Sequence, residues 1–257
     1  MGALHAGHIS LVGQSQRRSD LTVVSIYVNP TQFNESSDLE KYPRPIEEDI
    51  RLLTLNHVDV LYYPGNDQVY PAGDTDEFAI DLAGLDEIME GAFRPGHFLG
   101  VAQVMDRLLS IVQPDILCMG QKDFQQVAVV RQLMKEKGHK AKMIMCPIIR
   151  EMHGLARSSR NVRLSKSTRS RASLIFRTLI YCRSQRYVLD VDTTIEKCLN
   201  RLRKPGFEPE YFTLIDGNTL HPISKWKDSD FIVACTAVWT ENVRLIDNLV
   251  IKQPLED

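Results

Sequence analysis

The sequence predicts an α/β protein with a doubly wound parallel sheet over residues 1–149 and a smaller α+β domain over 150–257. Two observations predict the first part. Apolar, β-branched runs alternate with segments of helical period, and polar clusters follow directly on two of those runs. A third predicts the second part: after residue 150 a polar loop leads into helices and then into three strand-like runs.

The chain opens on Met1-Gly2-Ala3-Leu4-His5-Ala6-Gly7-His8, and the apolar residues Ile9, Leu11 and Val12 start a helix there. Leu21–Val28 is nearly continuous and β-branched, the pattern of a strand buried on both faces. Ile46–Leu55 has helical period, with Glu47, Glu48 and Asp49 early, where acids suit the helix dipole. Asp59–Tyr63 is a short strand stopped by Pro64-Gly65. Phe98, Val101, Met105, Leu108 and Val112 mark one face of a helix. A strand over Asp115–Met119, a helix over Asp123–Lys137 and a strand over Lys142–Ile149 complete the alternation. Beyond the polar loop Arg150–Lys166, helices are expected near Thr168–Arg186 and Thr193–Arg203. Strands follow at Tyr211–Ile215, Phe231–Ala237 and Val243–Ile246.

Composition narrows the function. The 257 residues are 43% hydrophobic, enough for a core, and 31 basic residues balance 33 acidic ones for a net charge of -2. That balance gives no reason to expect nucleic acid or an anionic membrane as partner. No apolar run approaches the ~18–20 residues that span a bilayer, and no charged leader with an apolar core points to secretion. The five cysteines are scattered and never form C-x-x-C. They read as reduced thiols of a cytoplasmic protein, not as disulfides or a metal site.

Four clusters carry chemistry. In the first, Gly7 lets the backbone approach a nucleotide, the helix start offers free N–H groups to phosphate, and His5 and His8 donate to developing charge. In the second, Val28-Asn29-Pro30-Thr31-Gln32-Phe33 follows a strand, and Asn29 and Gln32 present amides to a small polar substrate. In the third, Gly120-Gln121-Lys122-Asp123-Phe124-Gln125-Gln126 repeats that topology. Lys122 suits phosphate, Asp123 suits ribose hydroxyls, and Gln126 lies one turn on. The fourth, Ala156-Arg157-Ser158-Ser159-Arg160-Asn161, offers hydroxyls and cations to wrap a triphosphate from a loop able to close over it. Arg94-Pro95-Gly96-His97-Phe98 adds a cation for a carboxylate or phosphate, with a structural ion pair as the competing use. The basic residues from Arg157 to Arg171 lack the interleaved aromatics of a nucleic-acid surface.

Together these residues closely resemble the pantothenate synthetase (pantoate–β-alanine ligase) family of adenylate-forming nucleotidyltransferases. The matches are residues 1–8, 28–33, Tyr42-Pro43-Arg44, 94–98, 120–126, 158–161 and Arg244-Leu245-Ile246-Asp247-Asn248. The resemblance implies a Rossmann-like domain with a lid-like C-terminal domain, usually in a homodimer. It implies ATP as substrate, Mg²⁺ carried on its phosphates, and a pantoyl adenylate that β-alanine converts to pantothenate and AMP. It places ATP on Met1, Gly2, Ala3, Leu4, His5, Ala6, Gly7 and His8, on Gly120, Gln121, Lys122 and Asp123, on Ile149, and on Arg157, Ser158, Ser159 and Arg160. His8 takes the proton-donor position. Gln32 and Gln126 take the pantoate positions, with Gln32 also near β-alanine, and Asn29 and Arg94 complete the expected substrate contacts. His5, His8, Lys122, Ser158, Ser159 and Arg160 are the groups suited to aligning and neutralising a pentavalent phosphorus.

The chain departs from the family pattern at three positions. Arg157 stands where the family usually has Met, His153 where it has Asp, and Gln121 where it has Glu. The family also has a strand ending in Pro-Thr before the residue matching Met1, so Met1 is expected to be an internal methionine with the native start upstream. Two other readings follow. One is a nucleotidyltransferase for a phosphorylated substrate, which would call for a further basic cluster. The other is a nucleotide-binding remnant inactivated by a missing strand.

Overall fold

The structure, a computed structural model, describes residues 1–32, 39–40, 42–71 and 78–253. Phe33 of the second cluster lies outside them. The chain divides into two compact units: Met1–Gln121 with Gln125–Pro147, and Lys122–Phe124 with Ile148–Asp257.

In the first unit helix α1 (Ala6–Gln16) leads to strand β1 (Val23–Ser25), helix α2 (Ile46–Leu55) and strand β2 (Val60–Tyr62). Short helices α3 (Asn66–Val69) and α4 (Glu90–Phe93) precede the long helix α5 (His97–Val112). Strand β3 (Ile116–Gly120), helix α6 (Phe124–Lys137) and strand β4 (Lys142–Cys146) close the alternation. β1 pairs with β2, and β3 with β4, both in parallel. Among the described residues no ladder joins the pairs into one sheet. The edge of β1 away from β2 is taken by Met1, whose amino group donates to the Ser25 carbonyl (2.8 Å) and whose carbonyl accepts from Tyr27 N–H (3.2 Å).

Strand β1 is much shorter than the expected Leu21–Val28, and it is buried on one face only. Val24 is 2% exposed while Val23 is 40% exposed. Its partner β2 sets the length, because Pro64 lacks an N–H and cannot extend the ladder. Helix Ile46–Leu55 forms where the acids and periodicity placed it. Its Asp49, however, is 2% exposed and is not a solvated dipole partner. Val12, Val24, Ile26 and Leu53 form the core between α1, β1 and α2.

In the second unit, short helix α7 (Lys166–Arg171) and helices α8 (Ser173–Gln185) and α9 (Val191–Leu202) pack with an antiparallel sheet β5–β6–β7. Its strands are Glu208–Asp216, Ile232–Thr240 and Val243–Lys252. The single long helix expected near Thr168–Arg186 is broken at Ala172. Ser173 Oγ donates to the Ser170 carbonyl (2.9 Å), a side-chain bond that competes with the helical ladder. The central strand β6 is buried at every position but Trp239. Its Ile232, Ala234 and Val238 face Ile175, Leu179, Cys198 and Leu202 of the helices in one core. All five cysteines are free, and four are buried.

Candidate functional site

The His-Ala-Gly-His segment is a helix N-terminus capped by its own imidazoles. His5 is the N-cap residue in extended backbone (φ -147°), and its Nδ1 accepts from Gly7 N–H at 3.1 Å. His8 Nδ1 accepts from the His5 N–H at 3.3 Å, so the two rings play the reciprocal parts of a capping box. The rings stack with centroids 4.0 Å apart. Because a backbone N–H can only donate, both Nδ1 atoms are acceptors, and the neutral rings carry their protons on Nε2. The cluster therefore places two oriented imidazoles at the positive end of an 11-residue helix.

The segment leading in is held by a residue that the sequence marked only as an early acid of the next helix. Asp49 accepts from Ala3 N–H (2.9 Å) and Leu4 N–H (2.6 Å), one with each carboxylate oxygen. Ala3 adopts φ +48°, a left-handed conformation that costs an L-residue energy and persists where the surroundings over-determine it. A carboxylate holding two successive amides supplies that constraint. Only the distance of 46 and 45 residues along the chain hid it.

Asn29 was expected to touch substrate, but it is 2% exposed and its amide is engaged within the fold. Nδ2 donates to Thr31 Oγ1 (2.9 Å) and to the Gly100 carbonyl (3.1 Å), and Oδ1 accepts from Tyr70 OH (2.9 Å). Asn29 thus shapes the 3₁₀ turn Pro30–Gln32 that carries Gln32. Gly100 makes room for that turn, since a Cβ there would lie 2.4 Å from the Thr31 carbonyl oxygen. On the other side His97, 7% exposed, bonds the Gln32 carbonyl through Nδ1 (2.7 Å) and receives Arg94 Nη1 at Nε2 (2.9 Å). Arg94 accordingly braces Gln32 through His97, a residue to which the sequence assigned no task. Gln126 stands half-buried in the first turn of α6. A cavity of 370 Å³ in this unit, lined by Pro30, Thr31, Tyr70 and Arg107 among others, includes neither glutamine.

The Gly120–Asp123 cluster is split by the division of the chain: Gly120 and Gln121 belong to the first unit, Lys122 and Asp123 to the second. Lys122 Nζ lies 3.4 Å from Asp123 Oδ1. A Cβ on Gly120 would meet nothing within 4 Å, so open space adjoins the end of β3.

The fourth cluster lies in the second unit. Arg157 N–H donates to the Ile149 carbonyl (2.9 Å), next to an antiparallel bridge between Arg150 and Ala156. Ser158 caps the 3₁₀ turn Ser159–Arg163, accepting from Arg160 N–H at 3.2 Å. Asn161, 2% exposed, donates to Glu151 Oε1 (3.1 Å) and to the Ala156 carbonyl (3.0 Å). Glu151 also holds Arg169 through Nε and Nη2 (3.0 and 2.7 Å). Burial pushes the Glu151 carboxyl up, but these bonds and the Arg169 charge outweigh it and hold the group below its ordinary value. Arg150 forks onto Asp247 (2.6 and 2.9 Å) and lies over the Phe176 ring at 3.9 Å. The Nε atom of Arg157 is buried without a hydrogen-bond partner.

The geometry meets its counterpart in known proteins. The family model for pantoate-beta-alanine ligase matches residues 1–250. The chain belongs to the pantoate–β-alanine ligase family. It is 46% identical over 256 residues to the pantothenate synthetase of Bacteroides thetaiotaomicron, covering 98% of this chain and 89% of that one. It is 45% identical to that of Porphyromonas gingivalis, covering 97% and 88%. The pantothenate synthetase of Thermus thermophilus superposes with a TM-score of 0.92 at 38% identity, covering 99% and 91%. The ligase of Francisella tularensis, solved with beta-gamma ATP and beta-alanine, has a TM-score of 0.76 at 35% identity, covering 98% and 87%. The fold is therefore α/β and Rossmann-like, and the chain is an enzyme that ligates pantoate to β-alanine.

Proposed function

We propose that this ligase works through a pantoyl adenylate made at the expense of ATP, in the residues singled out above. The observation that carries the reading is the histidine pair, whose rings are fixed through Nδ1 by backbone bonds at a helix N-terminus. An α-phosphate needs that equipment, because charge builds on its oxygens as the pantoate carboxylate attacks and pyrophosphate leaves. The Francisella ligase, with its ATP and beta-alanine, supports the same substrates here.

On this reading the carboxylate of pantoate is already ionised and needs no base. His5, His8, Lys122, Ser158, Ser159 and Arg160 align the triphosphate and neutralise it, with His8 as proton donor to the departing side. The backbone of Met1–His8, Gly120–Asp123, Ile149 and Arg157–Arg160 holds the nucleotide. Gln32 and Gln126 hold pantoate, Gln32 adjoins β-alanine, and Arg94 and Asn29 support Gln32. In the second step the neutral amine of β-alanine attacks the acyl carbon, the bond to AMP breaks, the nitrogen gives up one proton to AMP or water, and pantothenate leaves with its amide formed. Residues 1–149 act as the nucleotide-binding domain and 150–257 as its lid.

Mg²⁺ belongs to the substrate on this reading. Mg²⁺ is commonly bound by substrate phosphates and water with one or two carboxylates. The free thiols support a reducing cytoplasm. A homodimer is supported by an apolar face on β1–β2, where the register partners Val23 and Val60 are 40% and 46% exposed. Leu21, two residues before Val23, is 67% exposed. Parallel sheets are normally covered on both faces.

The test is exchange of labelled pyrophosphate into ATP with β-alanine absent. Exchange that depends on pantoate is expected. Exchange without pantoate, or pantothenate formation with no exchange, refutes the adenylate.

A further inference from the structure

The Arg-Leu-Ile-Asp-Asn motif of β7 has no task in the reading above. Arg244 pairs with Glu210 of β5 within the sheet. Asp247 and Asn248 do something different. Asn248 is 2% exposed, and its Nδ2 donates to the main-chain carbonyl of Lys122 at 2.9 Å, across 126 residues of sequence. Asp247 Oδ1 accepts the N–H of Asn248 (2.8 Å) while the same carboxylate holds both terminal nitrogens of Arg150. Arg150 in turn donates to the Asn248 carbonyl (3.2 Å). Asn248 is thus fixed on several sides and reaches out to Lys122.

That residue lies in the 3₁₀ turn Gln121–Asp123, between the end of β3 and the start of α6. The turn has no ladder of its own, and the Lys122 side chain bends to its neighbour Asp123. Its ammonium is aimed by the main chain that carries it. We propose that Asn248, steadied by Asp247, is a positioning residue for Lys122 in adenylate formation. Misplacing a charge by about 1 Å at a reacting phosphate costs as much as a hundredfold in rate. The second step, amide formation from a finished adenylate, builds no new charge on phosphate and depends on this placement far less. The inference rests on the phosphate-neutralising role given to Lys122 above.

The experiment measures two half-reactions separately: pantoate-dependent exchange of pyrophosphate into ATP, and aminolysis of supplied pantoyl adenylate by β-alanine. The enzymes are wild type, Asn248→Ala, Lys122→Ala and the double variant, each with its melting temperature. Asn248→Ala is expected to lose roughly 10–100-fold in exchange and to keep aminolysis close to wild type. In the Lys122→Ala background it is expected to cost nothing further, the non-additivity of residues that act as a unit. If both half-reactions fall together with the melting temperature, or if the losses add, Asn248 is structural only and the inference fails. If Lys122→Ala exchanges like wild type, the role given to Lys122 fails first and takes the inference with it. Should Asn248→Ala not fold, Asn248→Leu carries the same comparison with the volume kept and the donor removed.

Discussion

The loop before α1 and the loop after β4 are both assigned to phosphate, yet they are held by opposite means. The first is built round a short-range device, two imidazoles that cap their own helix within three residues, and a single carboxylate from elsewhere, Asp49, braces two successive amides. The second has no long helix to shape it. It is held by charged pairs, Arg150 to Asp247 across 97 residues and Arg169 to Glu151 across 18. A helix end supplies oriented N–H groups by itself, so its anion site needs only a brace. A loop that brings hydroxyls and cations to the same ligand has to be fixed by side chains from elsewhere. Damage should therefore be larger and more global in the second loop than in the first.

The largest effect is expected at Asp247. Asp247→Asn leaves the half-buried Arg150 guanidinium against a neutral partner, and breaking a pair with one partner fully buried costs about 3–5 kcal/mol. Urea unfolding is expected to show that loss, and an unchanged midpoint would mean that the fork contributes little to stability. Asp49 comes next. Asp49→Ala takes the charged acceptor from two amides that are only half-buried, where water replaces part of the loss, so the cost is about 1.5–3 kcal/mol in all, and it releases Ala3 from its left-handed conformation. The KM for ATP is expected to rise at least as strongly as stability falls. A stability loss with KM for ATP unchanged would show that the brace serves the core and not the loop.

Glu151 sharpens the comparison through pH. Its carboxyl is held below the ordinary 4.5 in the folded protein, so its contribution is complete above that value and is lost as pH falls through the lower folded value. Between neutral pH and 4.5 the melting temperatures of wild type and Glu151→Gln are expected to run parallel. Below 4.5 wild type is expected to fall toward the variant. A gap that stays constant down to about pH 3 would contradict the charged bond to Arg169.

The same contrast decides what could be read from the sequence. The first cluster was legible because its parts are adjacent: histidines three apart, then the apolar start of a helix. Helix Ile46–Leu55 was legible in its bounds, since periodicity and early acids are local signals. The role of its Asp49 was not, because an acid in a first turn looks the same whether it faces solvent or two distant amides. Strand β1 is shorter than its β-branched run because its length is set by its partner's proline. Asn29 looks like a substrate contact for a similar reason. The Asn-Pro turn gave its place, but its partners Tyr70 and Gly100 lie 41 and 71 residues away. In the second unit the motifs marked the loop, while the fork onto Asp247 and the bond from Asn248 are contacts across the whole unit.

The smallest effect is expected at Arg157, where the resemblance implies a Met in the family. Its Nε is buried without a partner, and a stranded buried donor costs about 1–3 kcal/mol. Arg157→Met removes that cost, so the ATP-free enzyme is expected to gain ~1 kcal/mol, or about 2–4 °C in melting temperature for a chain of this size. The decisive quantity is the further shift when ATP is added. If the nucleotide supplies the missing acceptor, wild type gains more from ATP than the variant does, and the arginine has exchanged stability of the empty enzyme for grip on its substrate. If ATP shifts both proteins equally, the nucleotide does not satisfy Arg157, and the arginine has no part in holding it.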